Sequence, residues 1–88
     1  VDFVIASRSQ PPTAIECKWS SGEFDPTHLR AFRSRYPAGV NFVVGADVEA
    51  PRTRRFGELT VEVVSLRDLL ERLIAPRPPG RRLRRDRA

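Results

Sequence analysis

Apolar and polar residues along this chain recur with two different periods. From Thr13 to Trp19, Ile15, Cys17 and Trp19 fall on one side of an extended segment and Glu16 and Lys18 on the other, and that period of two predicts a strand. Upstream, Val1-Asp2-Phe3-Val4-Ile5 is rich in strand formers. The short polar segment from Ser7 to Pro12 between them predicts the connection of an antiparallel hairpin. Asp25 before Pro26 predicts an N-cap and a first helical position, and Leu29, Phe32 and Tyr36 follow at helical spacing until Pro37. Val40 to Gly45 reads as an apolar run of a strand covered on both faces, so Thr13 to Gly45 predicts a right-handed βαβ crossover. After a charged loop with Pro51 and several arginines, Leu59 to Val64 predicts another strand. Ser65 then caps a helix with Leu66, Leu69, Leu70 and Leu73 on its apolar face, ended by Pro76. The expected order is strand, strand, helix, strand, strand, helix, a mixed α/β arrangement without internal repeat.

Charge changes the picture only at the C-terminal end. The 88 residues carry a net charge of +5. Residues 76–88 hold that whole excess, while residues 1–75 balance to zero. The expected division is therefore an α/β domain over 1–75 and a disordered Arg/Pro-rich tail over 76–88, too poor in apolar residues to offset its ordering entropy. Its Arg81, Arg82, Arg84 and Arg85 are candidates to hold nucleic-acid phosphates; the competing reading is a solvated terminus. No stretch approaches the roughly 20 apolar residues of a membrane span, and a cytoplasmic, soluble protein is expected. Cys17 is the only cysteine, so a buried, reduced thiol is expected and no zinc site. The chain opens inside a strand-like run and has no methionine, which suggests a piece of a larger protein.

One juxtaposition could carry chemistry. Glu16 and Lys18 share a strand face, and a hairpin folded about Ser9 places Asp2 opposite Glu16, with Phe3 and Ile5 beside Ile15 and Thr13 on the other face. Two carboxylates across a ladder have Cβ atoms about 4.5–5.5 Å apart and repel unless a proton or cation lies between them. Oxygen ligands of this kind suit Mg²⁺ (or Mn²⁺), which takes one or two carboxylates and completes its shell with water and substrate phosphate. Lys18, alongside, could orient the attacking water or stabilise charge developing on phosphorus. By spacing alone, Glu-x-Lys in a strand is usually a solvent-facing salt-bridge pair.

An acidic residue followed by Glu-x-Lys on the next strand, here Asp2 and Glu16-Cys17-Lys18, resembles the PD-(D/E)xK nuclease superfamily. The wider wording resembles more narrowly the uncharacterised C-terminal domain of certain bacterial and archaeal AAA-type ATPases; it comprises Val-Asp-Phe-Val-Ile, Ala-Ile-Glu-Cys-Lys-Trp-Ser, a helix ending Arg-Tyr-Pro, Asn-Phe-Val-Val-Gly and a late leucine-rich helix. That resemblance spans most of Val1 to Ile74. It implies an α/β restriction-endonuclease-like core, a mixed sheet flanked by helices, lacking its first helix and first strand, with an ATPase module upstream in the same chain. It also implies metal-dependent hydrolysis or processing of DNA by Asp2, Glu16 and Lys18, with Asp2 and Glu16 holding the metal. A chain without the upstream elements is expected to be inactive. Val1 stands where the superfamily has proline, and a further acidic ligand often supplied by the first helix is absent.

Arg30 and Arg33 are placed on the polar side of their helix, as candidates to hold a DNA backbone or simply as a solvated charged face. Arg52, Arg54 and Arg55 carry the same ambiguity. Trp19 is expected in the core, and neither it nor the lone His28 is given a role. The competing function is a non-catalytic regulatory or partner-binding module of the ATPase, which keeps the sheet as a scaffold.

Overall fold

The computed structural model describes residues 1–74; the tail expected over 76–88 lies outside them. Strands β1 (Phe3–Ser7) and β2 (Gln10–Lys18), helix α1 (Thr27–Arg35), strands β3 (Asn41–Gly45), β4 (Arg52–Phe56) and β5 (Leu59–Val64), and helix α2 (Leu66–Ile74) form a small α/β domain. Its five-stranded mixed sheet has the order β1-β2-β3-β5-β4. β1 and β2 pair antiparallel with Phe3 opposite Ile15, Val4 opposite Ala14 and Ile5 opposite Thr13, the register that the two alternations predict, but Ser7 to Pro12 is not the connection: β2 begins at Gln10 and includes both prolines, only Arg8 and Ser9 form the turn, and the register shifts between Ile5 and Ser7. β2 and β3 pair in parallel, as do β3 and β5, so β2, α1 and β3 form the expected crossover.

Alternation along the strands divides the core into two layers. Ala14, Val43, Val61 and Val63 face α1 and pack with Phe24, Leu29 and Val48, while Ile15, Phe42, Val44 and Val64 face α2 and pack with Leu69. Every residue of β3 is buried, as its apolar run predicts. Helix α2 starts after Ser65 as the sequence places it, and α1 starts one residue later than expected, at Thr27, with Pro26 in the cap position. The Asp25 carboxylate accepts the Thr27 N–H at 2.9 Å. Ser65 and Asp68 form a reciprocal box, the Ser65 hydroxyl accepting the Asp68 N–H at 3.1 Å.

Three further expectations are corrected. The charged loop after Pro51 is a strand, β4, paired antiparallel with β5 through a tight turn in which Phe56 faces Leu59 and Gly57 takes a φ of 66°. Its Arg-Thr-Arg-Arg-Phe wording carries little apolar signal because β4 is an edge, held by backbone pairing and by Phe56 packing edge-on against Phe24 at 5.2 Å. Cys17 is exposed rather than buried, and Trp19 is 85% exposed. Cys17 stands on the α2 side of β2 and Trp19 follows the end of that strand, and α2 packs over β3 and β5, leaving that end of the sheet open.

Arg33, expected on a polar helix face, is the third correction. It is 6% exposed, because its guanidinium reaches under α1 to the strand ends. It donates to Asn41 Oδ1 at 2.7 Å, to the Pro12 carbonyl at 2.9 Å, to the Val40 carbonyl at 3.0 Å, and to the carbonyls of Tyr36 and Ala38. One planar fork thus ties the end of α1 to β2 and β3 and satisfies the carbonyls of the α1–β3 turn. Burial without a carboxylate partner pushes the Arg33 pKa down. Gly39, in the same turn, has a φ of 128° and lies against this guanidinium.

Candidate functional site

Asp2 immediately precedes β1, and Glu16 and Lys18 lie near the C-terminal end of β2. The Ala14 N–H is bonded to the Val40 carbonyl at 3.0 Å, toward β3. By alternation the rungs that exchange hydrogen bonds between β1 and β2 are Phe3–Ile15 and Ile5–Thr13, and the Cys17 N–H points back toward β1. There it meets a side chain: Asp2 Oδ2 accepts it at 2.7 Å, while the Asp2 N–H donates to the Ile15 carbonyl at 3.1 Å. The paired register begins at Phe3–Ile15, so Asp2 sits just outside it, and its carboxylate terminates the ladder at Cys17.

Glu16 shares the α1-facing side of β2 with Ala14 and is 9% exposed. This departs from the solvent-facing pair that spacing alone favours, because residues ahead of α1 fold over this face of the sheet. The carboxylate borders a small apolar cavity lined by Val1, Ala14, Phe24, Leu29 and Phe42. Its Oε1 is buried without a hydrogen-bond partner among the described residues. Lys18 Nζ stands 3.8 Å from Oε2; the Val1 nitrogen, 3.4 Å from Oε1, is a cation only where the chain begins at that residue. A buried carboxylate oxygen with no hydrogen-bond donor fits a hard cation. Among the described residues no group of three or more His, Cys, Asp or Glu side chains is gathered to hold a metal, so Asp2 and Glu16 are the available carboxylates.

The same two carboxylates act on Cys17. Burial, then the charges of Asp2 and Glu16, push its thiol pKa up. Although exposed, Cys17 is expected to react with a disulfide reagent more slowly at mildly alkaline pH than an unperturbed thiol, because only the thiolate attacks. Asp2→Asn should speed the reaction by removing one negative charge; a rate equal to that of a free thiol in the unaltered chain would contradict this.

Sequence reasoning passed over a second polar cluster at the C-terminal ends of β2 and β3, where open α/β sheets commonly place ligands. The Asp47 carboxylate accepts the Ser21 N–H at 2.9 Å and the Ser21 hydroxyl at 3.2 Å, and Arg52 Nη2 donates to the Ser21 hydroxyl at 3.0 Å. The Ser21 N–H bond chiefly holds the Asp47 carboxyl below its usual pKa. These groups satisfy one another and seat the 3₁₀ turn of Ser21–Glu23 against β3. An acidic residue just beyond an apolar strand was the available signal.

The basic candidates separate. Arg30 is exposed and donates to the Phe56 carbonyl at 3.1 Å. Arg33 is enclosed by its carbonyl acceptors, and Arg54 lies over the Phe56 ring at 4.8 Å. Arg81, Arg82, Arg84 and Arg85 lie outside the described residues. No helix among the described residues is long and apolar enough to cross a membrane. Compared with protein-family models, with curated proteins and with solved structures, the chain gave no match.

Proposed function

We propose that Asp2, Glu16 and Lys18 form the site of a metal-dependent phosphodiesterase acting on DNA, in a domain that is the later part of a PD-(D/E)xK-type core attached to an AAA-type ATPase. The observation that carries this reading is the nearly buried Glu16 carboxylate, whose Oε1 lacks a hydrogen-bond donor, with Lys18 on the same strand and the Asp2 carboxylate on the Cys17 N–H between them. Asp2 and Glu16 would hold Mg²⁺ or Mn²⁺, which supplies charge neutralisation at phosphorus and an acidified water when bound. Lys18 stays half-exposed, where its ammonium can orient a water or balance charge on a phosphate oxygen. Arg30 and the tail arginines Arg81, Arg82, Arg84 and Arg85 would contact backbone phosphates; Arg33, enclosed by carbonyls, is removed from that set.

A second reading has its own observation. Asp2 Oδ2 already accepts a main-chain N–H, which favours a structural carboxylate and a non-catalytic regulatory or partner-binding module. The test is Mg²⁺ and Mn²⁺ titration followed by calorimetry and by cleavage of labelled DNA. It is run on this chain and on a longer protein carrying the helix and strand that the resemblance places before Val1. Metal binding lost in Glu16→Ala, with cleavage by the longer protein reduced about 100-fold or more in Glu16→Ala and Lys18→Ala, is the expected result. A folded longer protein that binds DNA, takes up no metal and does not cut would establish the non-catalytic module.

A further inference from the structure

The turn that follows β2 is fastened to the sheet one rung beyond Glu16. β2 and β3 pair in a register that sets Glu16 beside Val43 and Lys18 beside Gly45, so Gly45 continues the α1-facing row that carries the candidate carboxylate. The Ser21–Glu23 turn rests directly on this glycine. A Cβ added there would lie 2.7 Å from Asp47 Oδ1, 3.1 Å from Val48 Cγ2 and 3.2 Å from Ser21 Cβ. Gly45 lies within β3, so close approach, and not an unusual backbone conformation, is what the position demands.

Two side chains then hold Ser21 down. The Val48 N–H bonds to the Gly45 carbonyl at 3.4 Å and folds the chain back after β3, which brings the Asp47 carboxylate onto the Ser21 N–H and hydroxyl. From the start of β4, Arg52 lies level with Val63 on the same face and donates to the Ser21 hydroxyl. Phe24, the residue after the turn, is 8% exposed and borders the same small cavity as Glu16. Fixing Ser21 therefore fixes Phe24 beside the carboxylate, while Lys18 keeps the half-exposed side.

We infer that Asp47 is a positioning residue of the proposed metal site: with Ser21, Arg52 and Gly45 it latches residues 21–24 as a lid beside Glu16, a lid that opens as a local unit. This rests on the reading of Asp2, Glu16 and Lys18 as that site. A closed lid keeps water from the carboxylate, and attraction between that charge and a cation is stronger where water is excluded. Opening breaks only the bonds that converge on Ser21, so it needs far less than unfolding of the sheet.

Thiol labelling tests the lid without reference to metal. Glu16→Cys in a Cys17→Ser background places a thiol under it, and Val64→Cys in the same background places one at a fully buried position of the α2-facing layer. The thiol at position 16 should react with a disulfide reagent faster than that at position 64, and with little dependence on urea below the unfolding transition, because lid opening exposes little surface. Adding Asp47→Ala or Gly45→Ala should raise the rate at position 16 about tenfold. Asp47→Asn, which keeps an acceptor for the Ser21 N–H, should raise it less. With Glu16 and Cys17 intact, calorimetry should show Mn²⁺ bound about tenfold more weakly in Asp47→Ala and in Gly45→Ala. Equal rates and equal urea dependence at positions 16 and 64 would mean that the turn opens only with the whole domain, and overturn the lid. So would a rate at position 16 that neither variant moves. Unchanged Mn²⁺ affinity in variants whose labelling is accelerated overturns the positioning role alone, whereas an unaltered chain that binds no Mn²⁺ sinks the metal site and this role with it.

Discussion

Replacing Arg33 with alanine is expected to destabilise the domain by about 3–5 kcal/mol, enough to unfold much of the population at body temperature in a protein of this size. The substitution leaves Asn41 Oδ1 and the carbonyls of Pro12, Tyr36, Ala38 and Val40 without their shared donor. Asn41 Oδ1, the buried acceptor among them, costs about 1–3 kcal/mol when orphaned and the part-buried carbonyls less, while the Val40 carbonyl keeps the Ala14 N–H. Arg33→Lys should recover only part of the loss, because a rotatable ammonium cannot reproduce a planar fork reaching both sides of the turn. Arg33→Met separates volume from hydrogen bonding: it fills the space and supplies no donor. Urea denaturation followed by tryptophan fluorescence and circular dichroism measures all three. A methionine variant as stable as the parent would show that the fork contributes nothing beyond packing.

Gly39→Ala should cost about 3 kcal/mol or more, far beyond the usual price of a surface glycine substitution. At a φ of 128° a side chain is strained in any surroundings. Here the added Cβ would also fall on the Pro12 carbonyl oxygen, well inside contact distance, and 2.8 Å from Arg33 Nη1. Backbone on one side and a five-bonded guanidinium on the other leave no flexible atom to give way. A double mutant with Arg33→Ala should be less destabilised than the two losses added together, since truncating Arg33 removes one of the obstacles. A Gly39→Ala protein within about 1 kcal/mol of the parent would show that this turn rearranges freely.

The candidate site and the fold were legible to different depths. Asp2, Glu16 and Lys18 could be brought together on paper because the period-two pattern of β2 and the strand-forming run of β1 admit one register that keeps their apolar faces aligned. The caps at Asp25 and Ser65 were visible because capping depends on a few neighbouring residues. β4 was hidden for the opposite reason. An arginine-rich edge strand is specified by its partner β5 and by the turn at Gly57, and little in its own composition distinguishes it from a loop.

Burial marks the boundary between what the sequence by itself determined and what only the tertiary structure decided. Local pattern determined the strands β1, β2, β3 and β5, both helices, the parallel crossover and the Phe3–Ile15 register, since each depends on period, capping or chain reach. Which side of β2 would be covered depended on where α1 and α2 came to rest. A polar-looking Glu16 is enclosed under the chain leading into α1, while Cys17, apolar by pattern, stands on the part of the sheet that α2 leaves open and Trp19 lies exposed beyond the end of β2. Arg33 makes the same point most strongly. Its helical position reads as solvent-facing, yet the Pro12 carbonyl of β2, the carbonyls of Tyr36, Ala38 and Val40 and the Asn41 side chain of β3 converge to make the interior the place where its five donors are best satisfied.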